Sequence, residues 1–203
     1  SSELAKVNPG DFDPATYRYV DLNSWHYNEM STENNISWYS AFRSLHRITG
    51  KEIYAKAMLE TERYLKSVWN EKEKYFYQGS HFVNGTWMPK IEHFATDVQT
   101  WSIAKVGPDK MDAWYGEGTS AQIWESTKAL AGVRDESGRL LGVGFTRKDG
   151  RISIEWTAGA IFAVRTLARH YAEKNPDLAK KMLKDAADMR AGIEPYRFKV
   201  SAD

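Results

Sequence analysis

The feature that most constrains this chain is a recurrence. Helix-opening signals followed by apolar stripes fall near residues 36, 97 and 156, so the same kind of segment returns about every 60 residues. That period exceeds the ~34 to 47 residues of tetratricopeptide, ankyrin or armadillo-type repeats, which disfavours those solenoids. Each return has a partner. Asn35 precedes a stripe of Trp38, Phe42, Leu45, Ile48 and Thr49 that Gly50 stops. A second helix from about Lys51 to Trp69 follows, with Ile53, Ala57, Leu65 and Val68 at near-helical spacing. Thr96 with Gln99 reads as a capping box for a helix over Asp97 to Val106, closed by Gly107-Pro108. Its return is broken into a short turn carrying Met111, Trp114 and Tyr115, then Gly116-Glu117-Gly118, then a helix to about Val133 that Thr119 and Gln122 would cap. The third pair opens at Glu155 with Ile161, Val164, Leu167 and Tyr171 inward, and Asn175-Pro176 starts a partner that Gly192 ends. The expected fold class is all-α, an array of three αα-hairpins over residues 36–196, after an extended lead-in loop over 1–35.

The remaining length lies in loops before the first helix of each pair. Asn84-Gly85 between alternating aromatic and polar residues predicts a small β-hairpin, and Ser137-Gly138 with Asp149-Gly150 predicts another within 134–153. Rings are abundant: 8 Trp, 11 Tyr and 8 Phe make up 13% of the 203 residues, many of them in polar loops. Loops held by a rigid scaffold are where binding and catalysis concentrate, and ring-rich ones suit a ligand with faces to stack on.

Several function classes fall away. With 28 basic and 27 acidic residues the net charge is +1, which gives no general attraction to nucleic acid or to an acidic membrane surface. The absence of cysteine removes disulfides, thiolate zinc sites and cysteine nucleophiles. No apolar run reaches the ~18 residues of a membrane span. His26, His46, His81, His93 and His170 lack metal-ligand spacing, so neither a metal nor a cofactor is expected.

Three carboxylates obey one rule. Glu33, Asp97 and Glu155 each stand at or just before the start of the first helix of a pair. If the hairpins are arrayed alike, all three converge on one rim. An acidic residue in a helix's first turn is also ordinary dipole chemistry, and that plain reading stands beside the functional one. Glycoside hydrolysis needs a proton donor and a second carboxylate, at ~6.5 to 9.5 Å when it activates water. Glu155, between Ile154 and Trp156, is the expected desolvated acid, Asp97 at its capped helix start the expected base, and Glu33 a binder of sugar hydroxyls. Trp25, Tyr27, Trp38, Trp101 and Trp156 are candidate stacking platforms, although Trp38 and Trp101 fall at helical spacing that more often marks a core than a ligand platform. Glu117 between glycines is a candidate cleft residue or a break in a bent helix.

The combination of Glu33-Asn34-Asn35 before one helix, Asp97-Val98-Gln99-Thr100-Trp101 opening the next and Glu155-Trp156-Thr157-Ala158-Gly159-Ala160 opening the third resembles the six-hairpin, (α/α)6-toroid glycosidases. The resemblance covers about residues 23–196. It implies part of an (α/α) toroid and a carbohydrate-active enzyme, an inverting glycoside hydrolase acting on an oligo- or polysaccharide. Three hairpins are half of such a ring, and the polar tail Glu194-Pro195-Tyr196-Arg197-Phe198 favours a fragment of a larger catalytic domain. Such an enzyme is expected to be secreted or periplasmic. Two other readings stay open: a polysaccharide lyase using Tyr27 or His26 with Asn28, and a non-catalytic sugar-binding or scaffold protein.

Overall fold

The computed structural model describes residues 12–13, 18–19, 28–147 and 150–196. Helix α1, Thr32–Thr49, starts one turn earlier than Asn35 suggested, because the Oγ of Ser31 accepts the Asn34 amide at 3.2 Å and makes Ser31 the cap. Asn35 instead donates its side-chain amide to the Ser31 carbonyl at 2.8 Å. Helix α2, Glu52–Ser67, returns along it. Then come α3, Thr96–Trp101, its π-helical continuation Ser102–Val106, α4, Pro108–Tyr115, and α5, Thr119–Ala131. The last pair is α6, Ile154–Tyr171, and α7, Pro176–Ile193, which starts at an Asn175 cap with Pro176 next to it as expected.

The β structure is local. Strands β1 (Phe12–Asp13) and β2 (Arg18–Tyr19) pair antiparallel. Strand β3 (Glu29–Ser31) leads into α1 and pairs with β6 (Gly79–Val83), which pairs with β7 (Thr86–Pro89). The two short strands between α2 and β6, β4 (Trp69–Asn70) and β5 (Tyr75–Phe76), form a second ladder, and β8 (Gly132–Arg134) with β9 (Leu140–Val143) forms the hairpin between α5 and α6. Asn84 and Gly85 both have positive φ, 51° and 80°, the turn geometry that their pairing predicts. Asp149, in the second expected turn, lies outside the described residues.

Helices α1, α3 and α6 lie side by side in chain order; α2 covers α1, α5 packs on α3, and α7 covers α6. This is the expected all-α hairpin array. Ile36, Tyr39, Val98, Ile103, Trp124, Val164 and Leu167 form its buried core. The Trp124 indole and the buried Lys128 ammonium both donate to Asp185 Oδ2, at 2.8 and 2.7 Å, which ties α5 to α7. Apolar side chains face solvent at both ends of the array: Trp38, Leu45 and Ile48 on α1, and Ile154, Phe162 and Leu183 on α6 and α7.

Neither expected capping box forms. Ala95 precedes α3 and Gly118 precedes α5, and neither has a capping side chain. Thr119 Oγ1 turns back to the Tyr115 carbonyl at 3.2 Å. Thr96 donates its hydroxyl to the Gly144 carbonyl at 2.7 Å and its amide to Phe145 at 3.0 Å. The Gln99 amide group works like a strand edge: it accepts from the Phe76 amide at 2.9 Å and donates to the Phe76 carbonyl at 2.8 Å. These partners win because short strands leave backbone groups that must be paired once buried, whereas helix-start amides have other options. Gln99→Leu keeps the bulk but orphans two buried backbone groups, so it should cost on the order of 3 kcal/mol. Urea unfolding should show a lower midpoint at unchanged slope.

Candidate functional site

Each of α1, α3 and α6 carries its carboxylate as the second helical residue: Glu33, Asp97 and Glu155. The negative charges of Glu33 and Glu155 both act on Asp97, which brings the three helix mouths into electrostatic reach of one another. Burial differs among them. Asp97 and Glu33 are partly buried, while Glu155 is exposed, with Ile154 exposed beside it and Trp156 tilted against Phe145 at 5.7 Å. The expected desolvation therefore falls on Asp97, not Glu155: the apolar neighbours of Glu155 in sequence turn away from its carboxylate, as successive residues on a helix must. Burial pushes the Asp97 carboxyl above the usual carboxylate range; the Val98 amide, donating to Asp97 Oδ1 at 2.8 Å, pulls it back, and the Glu33 and Glu155 charges raise it further.

The ring residues divide. Trp101 is partly buried, donates its indole N–H to Ser37 Oγ at 3.0 Å and carries the Lys105 ammonium over one face at 4.4 Å, so it links α3 to α1. Trp38 is 57% exposed and stacks on Phe42 at 5.5 Å, at an end of the array rather than in the core expected for its stripe. Trp25 and Tyr27 lie outside the described residues, as does His26. Glu117 is exposed in the turn before α5. The other end of α5 meets the rim side, where Ala131 packs with Phe94 and Tyr75, so the 13-residue helix holds Glu117 ~20 Å from the rim. The structure does not bring it to the carboxylates.

A polar groove beside the mouth of α1 was not visible in the sequence. Two adjoining hollows of about 350 and 380 Å³ share Glu29, Lys90 and His93; Asn34 and Gln78 line the inner one, His81 and Glu92 the outer. Glu29 and Lys90 form an ion pair at 2.6 Å across 61 residues of chain, a separation that no local pattern signals. The groove is firmly built. The amide of Thr32 donates to Gln78 at 3.0 Å, that of Lys90 to Gly79 at 2.8 Å, and that of Gln78 to His93 at 3.3 Å. A side chain at Gly79 would place its Cβ 2.4 Å from the Met30 carbonyl, so only glycine lets β3 and β6 approach this closely. Among the described residues there is no group of three or more His, Asp or Glu that could hold a metal ion, and no helix long and apolar enough to cross a membrane.

Asp97→Asn should reveal the cost of burying this charge. Because the folded-state pKa is raised, the folded chain binds more protons than the unfolded one above the ordinary value of 3.8, and stability falls as pH rises through the raised pKa. Thermal melts should show Asp97→Asn more stable than the parent at pH 7, with the gain vanishing well below pH ~3.8, where both side chains are neutral.

Neither protein-family models nor curated protein sequences show a match to this chain. Among solved structures it is similar to the cellobiose 2-epimerase from Bacillus thermoamylovorans B4167, with a TM-score of 0.56 and 14% sequence identity. The likeness covers 89% of this chain and 47% of that one, so the chain spans about half the length of this (α/α)6-toroid neighbour. At that identity the likeness concerns the fold alone, and the fold is a hairpin array of the toroid type.

Proposed function

We propose that this chain supplies about half of the ring of a carbohydrate-active enzyme that hydrolyses glycosidic bonds in an oligo- or polysaccharide. The observation that carries the reading is the position of Asp97, partly buried at a helix mouth with two further carboxylates acting on it. A carboxyl in that setting holds its proton at higher pH than an ordinary aspartic acid, which is what protonating a leaving glycosidic oxygen requires. Asp97 is accordingly the proton donor. In this reading Glu155, open to solvent, activates a water, and Glu33 binds substrate hydroxyls. That water attacks the anomeric carbon from the face opposite the Asp97 acid, its proton passes to Glu155 as the bond to the protonated leaving oxygen breaks, and the carbon is inverted. The likeness to a sugar epimerase supports a sugar-active role at the level of fold only.

The test is incubation of the full-length protein with a glycan panel, reading reducing ends against the absorbance of unsaturated products. Asp97→Asn and Glu155→Gln should each lower kcat by ~100- to 10,000-fold, the usual worth of a general acid or base. Glu33→Gln should act mainly on KM. Activity should decline as pH rises through the raised Asp97 pKa, since the donor must be protonated. Unchanged hydrolysis in both Asp97→Asn and Glu155→Gln, or unsaturated products in place of reducing ends, would overturn the assignment.

A further inference from the structure

The groove between β3 and the turn after β7 has a charge pattern that selects among sugars. We propose that it is a subsite for a neutral sugar unit and that it rejects uronic acids. This rests on the carbohydrate reading above and specifies its substrate class.

Glu29 and Lys90 neutralise each other at 2.6 Å, and both are largely shielded, with side chains 35% and 23% exposed. Among the described residues Lys90 is the only Lys or Arg lining either hollow, and Glu92 adds a further negative charge in the outer one. A carboxylate-bearing sugar would meet one occupied cation and an acidic surround, and would have to break the ion pair to gain a partner. A neutral sugar needs no free charge. Its hydroxyls each donate and accept, and the groove interleaves both functions: the amides of Asn34 and Gln78, the Glu29 carboxylate, the Lys90 ammonium and the His93 imidazole. Asn34 stands one residue from Glu33 on the same helix turn, so a unit bound here adjoins the carboxylate rim.

The experiment uses the Asp97→Asn chain, in which turnover is blocked, and follows backbone amide signals by NMR while cellotetraose or tetragalacturonate is added. Cellotetraose should shift amides around residues 29–34, 78–81 and 90–93, and tetragalacturonate should not. Asn34→Ala, at an exposed position, should weaken cellotetraose binding about tenfold, the worth of one well-made hydrogen bond. Glu29→Gln should free Lys90 and make tetragalacturonate shift the same amides, a gain that a merely structural ion pair would not produce. Shifts with tetragalacturonate in the Glu29-containing chain, no response to cellotetraose at millimolar concentration, or no gain in Glu29→Gln would each overturn the proposal. The two readings fail separately. Asp97-dependent hydrolysis with silent groove amides removes the subsite alone, whereas cellotetraose bound in the groove with no glycan hydrolysed by the Asp97-containing full-length protein removes the catalytic reading alone.

Discussion

The fold depends on one repeated device: a fully buried polar side chain near the start of an inner helix that satisfies the backbone of a neighbouring loop. Thr32 of α1 donates to the Tyr77 carbonyl at 2.7 Å, Thr96 of α3 to Gly144 at 2.7 Å, and Gln99 of α3 holds both backbone groups of Phe76. Thr157 of α6 accepts from the Val143 amide at 3.0 Å and lies 3.3 Å from the Val143 carbonyl. All four side chains are at 0% exposure. Ladders of two to five residues leave backbone groups unpaired on their outer edges and in the loops beside them. The helices supply what the ladders cannot. In a buried setting an unmade bond costs more than a made one gains, so these contacts lock each loop onto the helix that follows or adjoins it.

That locking has a chemical consequence. Because Thr32 and Thr96 are pinned inward, Glu33 and Asp97, each the next residue, are set at the rim of their helices rather than free to turn. Asp97 goes furthest, sunk far enough for desolvation to outweigh the Val98 amide that favours its charged form. A helix mouth normally lowers a carboxyl's pKa, and here burial and like charge outweigh that pull, so the net direction is upward. Burying Asp97 in this way costs the fold stability wherever the carboxyl is ionised.

The ends of the array tell a second physical story. Helices α1 and α6 each bury one face against their inner neighbours, while Trp38, Leu45 and Ile48 at one end and Ile154 and Phe162 at the other stay exposed. The chain covers 47% of the length of its structural neighbour. The stripe Trp38, Phe42, Leu45 and Ile48 was legible as a helix face. Which side of the helix would be covered was not, because α1 has apolar residues on two sides and only packing chooses between them.

Much of the architecture was readable without coordinates. The spacing near 60 residues, the Gly50 stop, the Asn84-Gly85 turn and the Asn175-Pro176 start are consequences of local backbone preferences, and local preferences are written in adjacent residues. The placement of a carboxylate at each helix mouth was equally readable. Where the first capping box was expected, Thr96 and Gln99 have partners 48 and 23 residues away, and no short window could reveal that competition. The polar groove, with Glu29 and Lys90 brought together across 61 residues, and the choice of Asp97 over Glu155 for desolvation were decided only in three dimensions. Sequence by itself determined which segments become helices and what each presents at its first turn, since those depend on neighbours along the chain. Tertiary structure decided which of those groups lose water and which charges face one another, since solvation and Coulomb energies depend on everything nearby in space.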